Sequence, residues 1–360
     1  MFTTLDTCMM ARALQLARRA RYSAMPNPHV GCVLVRDGNV IGEGFTQPAG
    51  GNHAEVQALE SAGDATGATA YVTLEPCSHT GKTGPCADAL VEAGVRRVVA
   101  AMEDPNPLVA GRGLEKLRAS GVTVEYGLLE AEAERVNPGF VARMRRGRGR
   151  VRAKLAMSVD GRTAMQSGES QWITGAEARS DVQRLRAMSC AVVTGVGTVL
   201  ADDCALTVRA AELDLPDEEA ALAASVQPLR VVLDSRLRTP AGARVLDAQA
   251  PTLLAHGAGA QVPAELEKVD RLPLAHDAGG LNLDGLLDEL AARQCTEILV
   301  ESGPRLAGRL LQAGLLDELI IYMAPTLMGS RARPLLALPL DRMGQKVPLV
   351  IEDIRKVGRD

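Results

Sequence analysis

The chain has 360 residues, 46% hydrophobic and 23% charged, with a formal net charge of −4, as expected of a soluble globular protein long enough for two domains. That charge gives no reason to expect nucleic acid or an anionic membrane as the main partner, and aromatics at 2% are too few for a stacking ladder on single strands. No stretch approaches the roughly 20 apolar residues of a membrane span, no signal-peptide pattern opens the chain, and seven cysteines read as reduced thiols or metal ligands in the cytosol.

Residues 5–23 carry apolar side chains at helical spacing (Met9, Met10, Ala13, Leu16, Ala17), which predicts a helix. Residues 30–35 and 40–45 flank Asp37-Gly38-Asn39, a hairpin signal. Helix-like stretches 53–62, 86–93 and 113–120 then alternate with strand-like 70–74, 95–102 and 122–126. That alternation predicts an α/β layer structure around a central sheet. The basic run 143–150 reads either as an RNA-binding tail or as a solvated linker between domains. A second series follows at 151–157, 176–188, 191–195, 230–234, 252–255, 283–293, 297–301, 305–313 and 318–323. The Ala/Glu/Asp-rich piece 210–225 reads as a surface insertion. No internal repeat relates the halves, and the expected domains are 1–147 and 148–360.

The chemistry of the first half concentrates in three places. His53-Ala54-Glu55 opens one predicted helix, Pro76-Cys77 follows a predicted strand, and Cys86 begins the next helix. One imidazole and two thiolates supply three ligands to a tetrahedral zinc and leave a fourth position for water, the arrangement of a catalytic site. Zinc lowers the pKa of such a water to about 7, and helix starts at His53 and Cys86 would add positive potential. Glu55 is placed to take a proton from that water and pass it to a leaving amine, as in zinc deaminases of nucleobases. A lone His-x-Glu is an ordinary surface-helix pattern; its union with Pro-Cys and a second Cys is what points to chemistry. The segment between Cys77 and Cys86 is longer than the usual two residues, and its His79 and Lys82 suggest an anionic substrate group such as phosphate. Alternatively, His79 is a fourth ligand and the site is structural.

Longer motifs make the resemblance specific. The chain resembles the bifunctional diaminohydroxyphosphoribosylaminopyrimidine deaminase and 5-amino-6-(5-phosphoribosylamino)uracil reductase family of riboflavin synthesis. In the first half this rests on Pro26-Asn27-Pro28-His29-Val30-Gly31, His53-Ala54-Glu55-Val56, Thr73-Leu74-Glu75-Pro76-Cys77-Ser78-His79 and the run from Asp104-Pro105-Asn106 to Gly113. In the second it rests on the stretch from Lys154 to Ala164, Ser167-Gly168-Glu169-Ser170-Gln171-Trp172-Ile173-Thr174, the stretch from Gly195 to Asp203, and Val300-Glu301-Ser302-Gly303-Pro304. The resemblance implies an α/β protein: an N-terminal cytidine-deaminase-like three-layer domain, then a dihydrofolate-reductase-like domain.

What the resemblance implies about residues follows position by position. Zinc would sit on His53, Cys77 and Cys86, with Glu55 as proton shuttle, and Asn27, His79 and Lys82 would contact the pyrimidine or its ribose phosphate. NADPH would lie against Ala156, Trp172, Thr198, Asp202, Ser235 and the run Gly303, Pro304, Arg305, Leu306, Ala307, Gly308, Arg309. Lys154 and Asp202 would be catalytic in the reductase, and Ser170, Arg186, Leu206, Arg209 and Glu301 would hold its substrate. The expected partner is a small pyrimidine ribosyl phosphate, with neither nucleic acid nor membrane, and the expected assembly is a cytoplasmic homo-oligomer, a dimer. Two departures stand out. Thr46 follows Phe45 where members often carry His, and Cys204 stands where proline is common. Members also continue beyond the position of Asp360 into a last short strand.

On its own physics the second half says less. Gly195-Val196-Gly197 lacks the third glycine of a dinucleotide fingerprint, and Asp202 comes too soon for the ribose acid, so a plain backbone turn competes with it. Pro304 suits a first helical position, and free N–H groups there would make a pyrophosphate cradle or only a strand-to-helix turn. Guanidinium binds phosphate bidentately, which makes Arg186 and Arg209 phosphate candidates. Trp172, the only tryptophan, is either core filler or a wall of the nicotinamide pocket. Rival readings are a nucleic-acid deaminase recruited by the basic run and an inactive scaffold.

Overall fold

The computed structural model describes residues 1–78, 84–107 and 109–360. They form two compact units, Met1–Arg148 and Gly149–Asp360. The first begins with α1 (Thr4–Arg19), whose start is fixed by a capping box in which Thr3 and Asp6 satisfy each other's backbone N–H. There follow β1 (Gly31–Arg36), β2 (Asn39–Phe45), α2 (Ala54–Ala62), β3 (Thr69–Val72), α3 (Cys86–Glu92), β4 (Arg97–Ala100), α4 (Arg112–Ala119), β5 (Thr123–Tyr126), α5 (Glu130–Val136) and α6 (Pro138–Arg146). The β1–β2 hairpin turns through Asp37 and Gly38, both at positive φ, as a tight two-residue hairpin requires.

The sheet order is β2-β1-β3-β4-β5, antiparallel on the hairpin side and parallel from β3 onward. Three glycines show how helices cover both faces. A Cβ on Gly31 would meet Ala13 O of α1 at 2.0 Å, whereas Cβ atoms on Gly42 and Gly44 would meet Ala58 O and Ala54 O of α2 at 2.3 and 2.2 Å. Gly31 pairs with Phe45, and its neighbour Cys32 with Gly44, so the two helices lie on opposite faces. α5 packs with α1, and α3 contacts both α2 and α4. The result is three layers.

The second unit comprises β6 (Arg150–Ser158), β7 (Arg162–Ala164), α7 (Ala176–Ala187), β8 (Ala191–Gly195), α8 (Val196–Asp202), α9 (Asp217–Ser225), β9 (Leu229–Leu233), β10 (Thr252–Gly257), β11 (Asp270–Leu274), β12 (His276–Asp277) and β13 (Gly280–Leu281). It ends with α10 (Leu283–Ala292), β14 (Glu297–Glu301), α11 (Pro304–Gln312), β15 (Glu318–Ala324) and β16 (Arg333–Pro334). Seven parallel strands run in the order β11-β10-β9-β8-β14-β6-β15. Central strands such as β8 and β14 are apolar and buried almost throughout, as a doubly covered parallel sheet demands.

Three expectations change. The basic run is not a free tail: the boundary between the two units falls within it, as the linker reading expects, but it is ordered, closing α6, with Arg145 paired to Glu134, and opening β6. The stretch 210–225 is more than a surface insertion, because Leu213, Ala220 and Ala223 are buried and Arg184 donates to Leu213 O at 2.8 Å. α5, α6 and the edge strand β11 fall outside the sequence reading. Each is short, and packing supplies what local propensity does not.

Candidate functional site

Two glycines place the first cluster. With no Cβ at Gly42 and Gly44, α2 lies directly on β2, and its N-cap His53 and second residue Glu55 are fixed relative to the sheet. Cys77 follows the end of β3, and Cys86 opens α3. His53 Nδ1 lies 3.3 Å from Cys86 Sγ and 3.8 Å from Cys77 Sγ, and the three ligand atoms all fall within 4.8 Å of one another. Zinc bonds of about 2.0–2.3 Å at tetrahedral angles require edges of about 3.5–3.8 Å. The donor set is therefore of the right kind and spacing for such an ion.

The electrostatics agree with that geometry. The Cys77 thiol is held well below its ordinary value, first by a hydrogen bond from Cys86 and then by His53, and the Cys86 amide reaches its sulfur at 3.3 Å. Cys86 shifts upward because it keeps the shared proton; a bound cation would deprotonate both. His53 is raised, chiefly through its hydrogen bond with Cys77. Glu55 is 4% exposed, and burial, helped by the Cys77 charge, pushes it up to about 7. A carboxyl poised there can both accept and return a proton at neutral pH.

Among the other expected contacts, His79 and Lys82 lie outside the described residues. Asn27 is half-buried on the loop before β1, its N–H donating to Ala24 O. Thr46, where the resemblance leads one to look for His, is buried and spent on the backbone: it accepts from Val30 N at 2.9 Å and donates to Pro28 O at 3.1 Å. Two acids escaped the sequence reading. Glu75 is 3% exposed and receives backbone N–H groups from Asp104, Gly111, Gly113 and Leu114. Asp104 is buried and pushed up to about 6 by desolvation, with Glu75 and Cys77 adding repulsion. Their presence inside the long motifs was the only signal.

In the second unit the candidates gather at the carboxyl ends of β6, β8 and β14. There β14 is inserted between strands that precede it in sequence, the kind of switch point where open α/β sheets bind ligands. Lys154 on β6 stands in register with Glu301 on β14 and lies 5.8 Å from the Tyr322 ring centroid. Burial lowers its pKa, against the attraction of Glu301. Arg186 of α7 grips Glu301 through Nε at 2.5 Å and Nη2 at 3.0 Å and donates to Thr207 O at 3.1 Å. Burial alone would raise Glu301, but Arg186 outweighs it and the carboxyl stays below its ordinary value. Cys204 feels Glu301, Arg186 and Asp202, and burial holds its thiol protonated, up to about 11.

Several calls narrow. Arg186 is committed to Glu301 rather than presenting its whole fork to a phosphate, because a buried carboxylate beside it needs a counter-charge. Arg209 is likewise forked onto Glu212. The Leu206 side chain is in the core at φ +55°, so only its backbone is free to meet substrate. Trp172 is 68% exposed, with Arg179 4.7 Å above its ring, and core filler is excluded. Ser170 shares that loop, and Ala156, Thr198 and Ser235 lie half-buried on β6, on α8 and just after β9. Gly195 caps α8 with open space around it, the plain strand-to-helix turn. In the run from Gly303 to Arg309 the helix start, with Pro304 in its first turn, keeps the unbonded N–H groups of a helix terminus. Further along, Ala307 faces the core, Gly308 is covered by Ala337 O, and Arg309 is tied to Asp277 and Leu281 O.

Residues 3–102 match the family described as the cytidine and deoxycytidylate deaminase zinc-binding region, and residues 150–359 match the RibD C-terminal domain. The riboflavin biosynthesis protein RibD of Escherichia coli strain K12 is 51% identical over 360 residues, covering 99% of this chain and 97% of that one. Its Haemophilus influenzae counterpart is 45% identical, covering 100% and 96%. Among solved structures, Acinetobacter baumannii RibD (form 1) superposes with a TM-score of 0.90 at 45% identity, covering 99% and 96%. The diaminohydroxyphosphoribosylaminopyrimidine deaminase/5-amino-6-(5-phosphoribosylamino)uracil reductase of Thermotoga maritima gives 0.82 at 33%, covering 96% and 93%.

Proposed function

The chain belongs to the RibD family of riboflavin biosynthesis, and from that premise we propose how its own residues divide the family's two reactions. The first unit is a deaminase and the second a reductase. The substrate of the first is 2,5-diamino-6-ribosylamino-4(3H)-pyrimidinone 5′-phosphate; water replaces its 2-amino group, releasing ammonia. The second opens the ribosyl ring of the product to a ribityl chain. The observation that carries the first step is the His53–Cys77–Cys86 triangle beside a buried Glu55.

Zinc on that triangle would supply Lewis acidity and a water of lowered pKa. Glu55 takes the proton of the attacking water on its carboxylate and returns it to the departing amine, so that it ends each cycle as it began. Its burial serves this: a solvated carboxylate would stay ionised and could not give the proton back. His79 and Lys82 are assigned to the substrate's ribose phosphate, and Asn27 to the pyrimidine.

NADPH would supply hydride to the first ribose carbon. Its pyrophosphate is assigned to the N–H groups of Gly303 to Leu306, and its nicotinamide half to Ala156, Trp172, Thr198, Asp202 and Ser235. As the bond from that carbon to the ring oxygen breaks, the oxygen needs a proton, and Lys154 is the donor of choice because burial loosens its proton. Glu301, held by Arg186, orients the sugar from the neighbouring strand. A homodimer in the cytoplasm is part of the same reading; all seven cysteines are free thiols, which suits a reducing compartment. No helix among the described residues is long and apolar enough to cross a membrane.

The test follows the diamino-pyrimidinone ribosyl phosphate by mass spectrometry. Ammonia release without NADPH, and a further gain of two hydrogens with it, is the expected result. Loss of deamination after chelation, restored by zinc, assigns the metal. Deamination insensitive to chelation would refute the metal assignment, and a product never reduced would refute the second site.

A further inference from the structure

A buried carboxylate normally has a cation or a set of donors, and among the described residues Glu75 has the latter. Its Oε2 accepts from Asp104 N at 3.0 Å and Gly111 N at 2.9 Å, and its Oε1 from Gly113 N at 2.8 Å and Leu114 N at 3.4 Å. Its own N–H donates to Met102 O at 3.0 Å. Among the described residues its partners are backbone groups, with no lysine or arginine. The donors come from two places: Asp104, just beyond β4, and the first turn of α4, where unbonded N–H groups favour an anion.

The clamp joins that stretch to the segment that carries the ligand Cys77. Glu75 stands two residues before Cys77, and a Cβ on Gly113 would lie 1.9 Å from Pro76 O. The first turn of α4 therefore rests on the peptide that leads into Cys77. Gly111, at φ +80°, makes the turn that lets two N–H groups reach one carboxylate oxygen each way. Asp104, itself buried, and the first turn of α4 are thus both held against the two residues that directly precede the ligand Cys77, so what Glu75 fixes borders the deaminase site. Nothing in the proposed chemistry uses Glu75 itself.

We propose that Glu75 is a positioning residue for the deamination reaction, locking Asp104 and the Gly111–Leu114 turn to the Pro76–Cys77 segment so that the pyrimidine meets a preformed site. This rests on the deaminase reading of the first unit. Glutamine in its place keeps the shape but turns an amide NH₂ toward two backbone donors, which loosens that hold while leaving the metal ligands untouched.

The experiment uses the full chain as E75Q and E75D, each measured for bound zinc, deaminase kcat and KM, reduction of the deaminated compound, and backbone hydrogen exchange. E75Q is expected to keep its zinc and its reductase rate and to lose at least 10-fold in deaminase kcat/KM. Amide exchange at Gly111 and Gly113 should accelerate at least 10-fold, with E75D, which retains the charge, recovering part of both. Deaminase kcat/KM and exchange within twofold of the parent would overturn the proposal. So would zinc-free or insoluble E75Q and E75D, which would make Glu75 a folding or metal-retaining residue only. If the parent itself released no ammonia, the deaminase reading would fall, whereas the exchange comparison would still decide whether Glu75 holds the turn.

Discussion

Gly44→Ala would test whether the seating of α2 on β2 sets the deaminase geometry. A Cβ at that position would stand 2.2 Å from Ala54 O, 2.6 Å from Ala58 N and 2.7 Å from Gln57 Cβ, against an ordinary contact of 3.4–4 Å. Backbone is met first, so no side-chain rotation relieves the clash, and α2 must lift by about 1 Å. Over-packing of this kind costs about 1–3 kcal/mol of stability. Ala54 lies between His53 and Glu55, so the same shift carries a metal ligand and the proton shuttle with it. Misplacement by about 1 Å is enough to cost about 100-fold in rate. Ammonia release under saturating substrate, beside reduction of the deaminated compound by the same preparation, reads the effect. The expected result is a deaminase kcat down by about 100-fold, reductase intact and the unfolding midpoint lowered. A deaminase rate within threefold of the parent, at unchanged midpoint, would show that α2 is not seated through Gly44 and refute the reasoning.

Other residues give sharper single-step tests. Glu55→Gln keeps the shape of the side chain but cannot shuttle a proton, and should cost about 10²–10⁴-fold in deamination while sparing reduction; loss of both activities together would contradict a two-site enzyme. Lys154→Met should do the converse, removing reduction by a similar factor with ammonia release unchanged, and a reductase that survived it would move the proton donor elsewhere. Asp6 is 1% exposed and accepts from Thr3, from Tyr71 Oη at 2.7 Å and from Arg97 at 2.6 Å. Arg97, foremost, holds its carboxyl far below the usual range. Its stabilisation is therefore complete above the unfolded value of about 3.9 and fades as pH falls below it. Asp6→Asn should cost about 2–4 kcal/mol at pH 7, because a cap, a buried hydroxyl and a partly exposed charge pair are all impaired. In denaturant titrations that deficit should shrink below about pH 4; a deficit constant with pH would place the effect elsewhere than in the charge.

Much of the molecule was legible in the sequence because the information there is local. Alternating patterns predicted the βα order in both halves, Asp37-Gly38 predicted the hairpin turn, and Pro304 marked the start of α11. The ligand triangle was legible for a chemical reason: His, Cys and Cys beside a Glu have few other uses together. Tertiary structure alone decided what depends on neighbours distant in the chain. Trp172 proved exposed, and Arg186 turned to Glu301, 115 residues away. The Leu206 side chain went to the core, and Glu75 found donors 29 to 39 residues downstream. A residue type states what a side chain can bond. Which partner it receives is fixed only when packing closes a site against water and each buried charge must be answered by the groups the fold has brought there.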